Sequence, residues 1–148
     1  MSNSLIGNYV FNLNRVLLKE HRITTNAVEN TANLSYETLN HGVSVTTSFQ
    51  GTEKGVLITW FSEILLKQLS SATNVSSKSE ITIHLERLAQ MITTAIEATL
   101  LNTPQHVFAP VFCLSDVKEL FIPGNPIITT HMLDTHYGPI KIIMSQSA

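Results

Sequence analysis

The stretch FQGTEKGVLITWFSEILLKQL, residues 49–69, decides the fold. It continues an alternation of Val43, Val45, Thr47 and Phe49, the two-residue period of a half-buried strand. QGTEKG then supplies turn chemistry, and VLITWF returns as a second run of strand-forming residues. Residues 43–61 therefore predict a hairpin. At Ser62 the pattern changes. Ser62 is a helix-capping residue, Glu63 stands in the first turn, and Ile64, Leu65, Leu66 and Leu69 follow at helical spacing. Residues 62–70 predict a short helix.

Working outward, Leu5, Ile6, Tyr9, Val10, Leu13, Val16 and Leu17 recur at helical spacing and predict a first helix over 4–20. Residues 23–40 are polar and read as a strand, a turn and a second short strand. SSATNVSSKSE, 70–80, is loop-like in composition and delivers the chain to a long helix over 80–101. Asn102, Thr103 and Pro104 end that helix. HVFAPVFCL is strand-like over 107–113, with Pro110 marking an edge or a bulge. IPGNP is a turn, and PIITTHML and PIKIIMS form a terminal hairpin across 126–144 around DTHYG. The sequence shows no internal repeat and no low-complexity tail. This order predicts one α+β domain over 1–148, a mixed or antiparallel sheet with helices on one face and a long surface helix.

At 148 residues and 43% hydrophobic content, one cored domain is expected and disorder is excluded for the whole. Only 14% of residues are charged, below the usual figure of about 25%. Ser, Thr and Asn take up the difference, giving a surface of hydroxyls and amides. With a net charge of −2 and nine Lys and Arg that look scattered, a nucleic-acid partner is not expected. MSNSLIGNYV has no basic region, apolar run or cleavage site, and no segment approaches the roughly 20 apolar residues of a membrane span. A cytoplasmic location with no membrane partner is the expectation. On that reading the NLS at Asn33 and NVS at Asn74 carry no glycan. The lone Cys113 is read as a buried free thiol.

The long helix carries the functional question. At about 100° per residue, Leu85, Leu88, Ile92, Ala95 and Thr99 fall within one narrow arc. Glu86, Gln90, Thr93 and Glu97 lie nearly opposite, with Arg87 and Thr94 beside them. Such a face can be a catalytic surface, a docking surface or a solvated helix side.

Three features together resemble the CheX/CheC-type chemotaxis phosphatase family. They are the hairpin FQGTEKGVLITW running into FSEILLKQL, the helix segment RLAQMITTA, and HVFAPVF followed by a hairpin with a Tyr-Gly turn. The likeness runs from Gly42 onward, and the first helix fits by position. The resemblance implies removal of a phosphoryl group from the aspartate of a CheY-like receiver. A helix-borne Glu pairs with the receiver's lysine, and an Asn three residues later orients the attacking water. Residues three apart on a helix share a face, so the spacing has a physical reason. Acceleration would come from positioning, with no cofactor here and Mg²⁺ belonging to the receiver.

The pattern departs at both positions. Arg87 stands where the family has Glu, and Gln90 stands where it has Asn. Gln90 keeps the same amide on one more methylene and is the candidate water-orienting residue. Arg87 would meet the receiver's lysine as a like charge, and Glu86, four residues before Gln90, is the substitute acid in a shifted pose. Glu86, Arg87, Gln90, Thr93, Thr94 and Glu97 are the candidate partner-binding residues. The implied function is docking on a receiver with weak or no phosphatase activity. The alternative is a non-catalytic scaffold or oligomerisation domain.

Other chemistry is thinly supported. His131, Asp134 and His136 lie close in sequence, but a hairpin would have to converge them and a fourth ligand is missing, so no metal is expected. His84 is expected to border the core. No P-loop, nucleophile elbow or Cys pair occurs. The charge-poor segment 107–112 reads as an uncovered edge able to pair with a second copy, so a homodimer is expected.

Overall fold

The structure, a computed structural model, describes residues 5–29, 39, 42–52, 54–69, 78–103, 105–114 and 127–146; at 69, 78–84 and 114 it describes the backbone only. The elements run α1 (Leu5–His21), β1 (Asn26–Val28), β2 (Gly42–Gly51), β3 (Gly55–Ser62), α2 (Glu63–Leu69), α3 (Lys78–Asn102), β4 (His106–Phe108), β5 (Phe112–Leu114), β6 (Ile127–Thr135) and β7 (Gly138–Gln146). The strands form one seven-stranded sheet in the order β1-β6-β7-β3-β2-β4, with β5 also on β2. Every pairing is antiparallel. This is the expected α+β architecture.

The hairpin expected over 43–61 is β2–β3, in register from Gly42↔Ser62 to Phe49↔Gly55. Gly51 has φ of 141°, a conformation that side chains rarely adopt, so the chain turns there on a glycine. Gly55 has a different reason. A Cβ at that position would lie 1.9 Å from the Ser145 carbonyl oxygen, because β7 pairs closely with β3. Ser62 caps α2 as its sequence position predicts, the Leu65 N–H donating to its Oγ at 3.2 Å. The same Oγ donates to the Tyr137 carbonyl at 3.2 Å, tying the start of α2 to the β6–β7 turn.

All three helices bury their apolar sides on one face of the sheet. Tyr9, Leu13 and Leu17 of α1, Leu65 of α2 and Leu88, Ile92 and Ile96 of α3 meet Val45, Phe49, Leu57, Phe61, Ile140, Ile142 and Met144. The Tyr9 hydroxyl reaches through this layer and shares a 2.6 Å hydrogen bond with the Thr59 hydroxyl. The opposite sheet face buries a smaller cluster of Leu39, Ile58, Trp60 and Ile143, with the Lys141 ammonium 4.5 Å from the Trp60 ring. β3 and β7 are thus covered on both sides. That explains the nearly unbroken apolar run of VLITWF, which an alternating strand would not show.

The segment read as one strand over 107–113 is divided. β4 pairs Phe49↔Phe108 and β5 pairs Thr46↔Phe112, so the edge uses one more residue than β2 between those points. The extra residue makes a bulge at Ala109, Pro110 and Val111, held by Ala109 N–H to Ser48 O at 2.9 Å and Thr47 Oγ1 to Ala109 O at 2.6 Å. Pro110 has no N–H to offer a ladder, and the bulge removes the need for one.

The two halves of the chain repeat one topology. α1, β1 and β2–β3 correspond to α3, β4 and β6–β7; β3 and β7 pair at the centre, and each short strand crosses to the other half's outer strand. Burial follows suit. Tyr9, Asn12, Leu13, Val16 and Leu17 have the spacing of Leu88, Met91, Ile92, Ala95 and Ile96. No internal repeat is visible in the sequence because the buried positions recur and their identities do not. Asn33, Asn74, the IPGNP turn, the second short strand before Asn40 and the side chain of His84 lie outside the described residues.

Candidate functional site

α1 and α3 lie side by side and antiparallel, joined by a buried hydrogen bond in which Asn12 Nδ2 donates to Thr99 Oγ1 at 3.2 Å. Asn12 Nδ2 also donates to the Asn8 carbonyl at 2.9 Å, and Thr99 Oγ1 donates to the Ala95 carbonyl at 2.7 Å. This polar tie sets the register of the two helices, because misplacing either leaves a buried amide or hydroxyl without its partner.

On α3 the buried arc is Leu88, Met91, Ile92, Ala95, Ile96 and Thr99, with Leu85 half-buried at its end. Glu86, Arg87, Gln90 and Glu97 are exposed. Thr93 and Thr94 differ from expectation, being half-buried. Their hydroxyls fold back on the helix, Thr93 to the Ala89 carbonyl at 2.8 Å and Thr94 to the Gln90 carbonyl at 2.9 Å. Threonine satisfies its hydroxyl locally in this way, which withdraws it from a partner. The outward face is therefore narrower than its sequence suggested. Glu86, Arg87 and Gln90 form its centre.

Thr94 instead lines a groove of about 220 Å³ with Ala98 and, from α1, Asn12, Arg15, Val16, Lys19 and Glu20. Two of the nine basic residues, Arg15 and Lys19, line this groove, and a third, Arg22, lies just beyond the same helix. Single positions gave no sign of this. Their proximity in sequence at helical spacing was the available signal.

His21, at the end of α1, senses the same surroundings. Burial lowers its pKa, the Glu20 carboxylate works against that, and the positive charge of Arg87 lowers it further. Burial also lowers the pKa of His131. The folded chain thus binds these protons less readily than the unfolded one. Stability is expected to decline as pH falls below about 6.5, the ordinary imidazole value. Thermal melts at about pH 7.5 and about pH 5.5 should show a smaller difference for His21→Gln than for wild type. Identical pH dependence in the two would remove His21 from the explanation.

The remaining candidates do not converge. His131 and Asp134 are three apart on β6 and so project to opposite sides of the strand, while His136 sits exposed in the turn. Among the described residues no three His, Cys, Asp or Glu side chains are placed to hold a metal ion. Cys113 is half-buried, its thiol pKa raised by burial, with Sγ 3.9 Å from the Leu85 carbonyl. No helix among the described residues is long and apolar enough to cross a membrane.

No family model matches the chain, and no curated protein matches it. Solved structures do. A CheC-like superfamily protein from Shewanella sp. PV-4 is 17% identical, with 100% of both chains covered and a TM-score of 0.67. The CheX of a CheX–CheY–BeF3–Mg²⁺ complex from Borrelia burgdorferi is 11% identical, covering 99% of this chain and 100% of that one, with a TM-score of 0.73. This chain has the CheX/CheC-like fold. The middle domain of FliM from Helicobacter pylori is also similar, at 8% identity and a TM-score of 0.61 over 98% of this chain and 92% of that one. At such identities the likeness establishes the architecture, and the CheX/CheC-like fold makes α1 and α3 the helix pair laid across the sheet.

Proposed function

We propose that this chain docks on a CheY-like receiver domain in the cytoplasm through the exposed face of α3, with weak or no phosphatase activity. The observation that supports the reading is the exposure of Glu86, Arg87 and Gln90 on one side of a helix whose opposite side is locked into the core. A similar fold is found in complex with CheY, in the Borrelia burgdorferi CheX. Gln90 offers an amide able to orient water. Arg87 weakens the pairing with a receiver lysine, so docking is favoured over efficient catalysis. Any residual activity would hydrolyse the receiver's aspartyl phosphate, with Mg²⁺ supplied by the receiver.

The test is a titration of receivers from the same organism, with and without the beryllofluoride mimic of the phosphoryl group. Tighter binding of the beryllofluoride form is expected. If no receiver binds in either state, the scaffold reading takes its place.

The edge formed by β4 and β5 suits self-pairing. Val107 is 70% exposed and Phe112 is 46% exposed, and among the described residues β4 and β5 pair with β2 alone, which makes them an edge of the sheet. A dimer mass by light scattering at tens of micromolar is expected, and Val107→Lys should shift it towards monomer. A monomeric wild type would argue against this edge as an interface.

A further inference from the structure

We propose that the solvent side of α1 is a second docking surface, one that takes an acidic amphipathic helix from a partner protein. Phe11, Arg15 and Leu18 follow one another at four and three residues, which places them in a single line along the helix, and Arg22 comes four residues later, just past its end. Phe11 is 59% exposed and Leu18 is 56% exposed, two large apolar side chains presented outward. Arg15 and Arg22 alternate with them and are exposed. The Arg15 guanidinium stands 5.8 Å from the Phe11 ring centroid, so cation and ring are held as one unit.

The fold does not impose this stripe. Its counterpart positions on the topologically equivalent α3 are Gln90, Thr94, Glu97 and Leu101, so the order of apolar and basic residues is not repeated there. α1 carries Arg15 and Lys19 against the single carboxylate of Glu20, with Arg22 just beyond, in a chain whose net charge is −2. Arg22 also holds a left-handed φ of 55°, closing the helix with its N–H to Leu18 O and the Ile23 N–H to Leu17 O, each at 3.1 Å. Glycine is the usual residue at such a closure and would fit without strain. Arginine puts a cation at the end of the stripe, where the helix dipole also favours one.

The chemistry of the occupant follows. Two apolar anchors seven residues apart match the i and i+7 positions of an approaching helix, and the flanking cations call for carboxylates beside its own apolar residues. A lipid surface fits less well. A membrane-lying helix needs a broad apolar face, and the broad apolar face of α1 is buried in the core through Leu5, Ile6, Tyr9, Leu13 and Leu17.

The probe is a synthetic helical peptide with two leucines seven apart flanked by glutamates; its control has lysines in place of the glutamates. Fluorescence anisotropy with the full chain should show at least about tenfold tighter binding of the acidic peptide. Phe11→Ser with Leu18→Ser should abolish binding, and Arg15→Glu with Arg22→Glu should reverse the preference. Arg22→Gly should weaken binding without lowering the melting temperature, which a purely structural role for Arg22 would not produce. Gln90→Ala should leave peptide binding unchanged, so failure here and failure of receiver docking on α3 are told apart. Absent or charge-independent peptide binding, binding retained in the serine variants, or binding to phosphatidylserine vesicles alone would each overturn the proposal. So would a loss of self-association in the serine variants without peptide binding by wild type.

Discussion

Truncating Phe61 to alanine is expected to lower the unfolding free energy by about 3–5 kcal/mol. Phe61 is fully buried in the main core cluster, in register between Val43 on β2 and Ile140 on β7. Its ring lies on the side of β3 that faces the helices. The backbone around it is held by ladders on both sides, so the sheet cannot collapse into the cavity, and the loss sits towards the upper end of that range. A domain of this size has a total stability of roughly 5–15 kcal/mol, so the variant should be marginal at room temperature. Ile64, the second residue of α2 and 68% exposed, provides the contrast. Ile64→Ala should change stability by no more than about 0.5 kcal/mol. Urea unfolding of the three proteins is the measurement, with the midpoint and slope read together. Comparable losses in both variants would mean that the core does not lie between β3 and the helices.

Arg87→Glu should tighten binding to the beryllofluoride form of a cognate receiver by about tenfold. If a receiver lysine faces this position, wild type brings two cations together at a partly desolvated contact. Like charges there cost roughly a kcal/mol or more, and an opposite pair regains part of that, which together correspond to about one decade in affinity. The gain should shrink as salt is raised, because exposed charges are screened. Arg87 and Gln90 are exposed on α3, so substitution of either should leave stability within about 0.5 kcal/mol of wild type. Gln90→Ala probes the chemistry in the same assay series. Any acceleration of receiver dephosphorylation should disappear with it, since the water loses its orienting amide. Decay of the phosphorylated receiver that is the same with wild type, with either variant and with no added protein removes the enzymatic reading and leaves docking or scaffolding. An Arg87→Glu variant that binds no tighter removes the lysine contact from the reading.

Much of this was legible in residues 43–69 alone. The alternation before Phe49, the glycines around the turn and the capping position of Ser62 are local signals, set by backbone sterics and short-range hydrogen bonds. The helical periods of α1 and α3 are local in the same sense, and they placed the two core-facing stripes. The resemblance to the CheX/CheC-type family rested on these segments in order, and the observed fold agrees with it. Thr93 and Thr94 were the point at which a helical wheel misled. Angular position alone cannot register that a threonine hydroxyl bonds back to its own helix, nor that a neighbouring helix closes over one flank of α3.

By itself the sequence determined the type and order of the main elements and the apolar face of each long helix. Those properties depend on interactions within a few residues of chain, so a one-dimensional pattern carries them. Tertiary structure alone decided which strands are neighbours, the crossing of β1 and β4 between halves, and the burial of β3 and β7 on both faces. It also decided that Asn12 meets Thr99, that Arg87 stands near His21, and that Phe11, Arg15 and Leu18, with Arg22 just past the helix end, form one exposed line with nothing from the described chain laid over it. Contacts between residues far apart in sequence depend on how whole faces fit together under the demand that buried polar groups stay paired, and no local period encodes that fit.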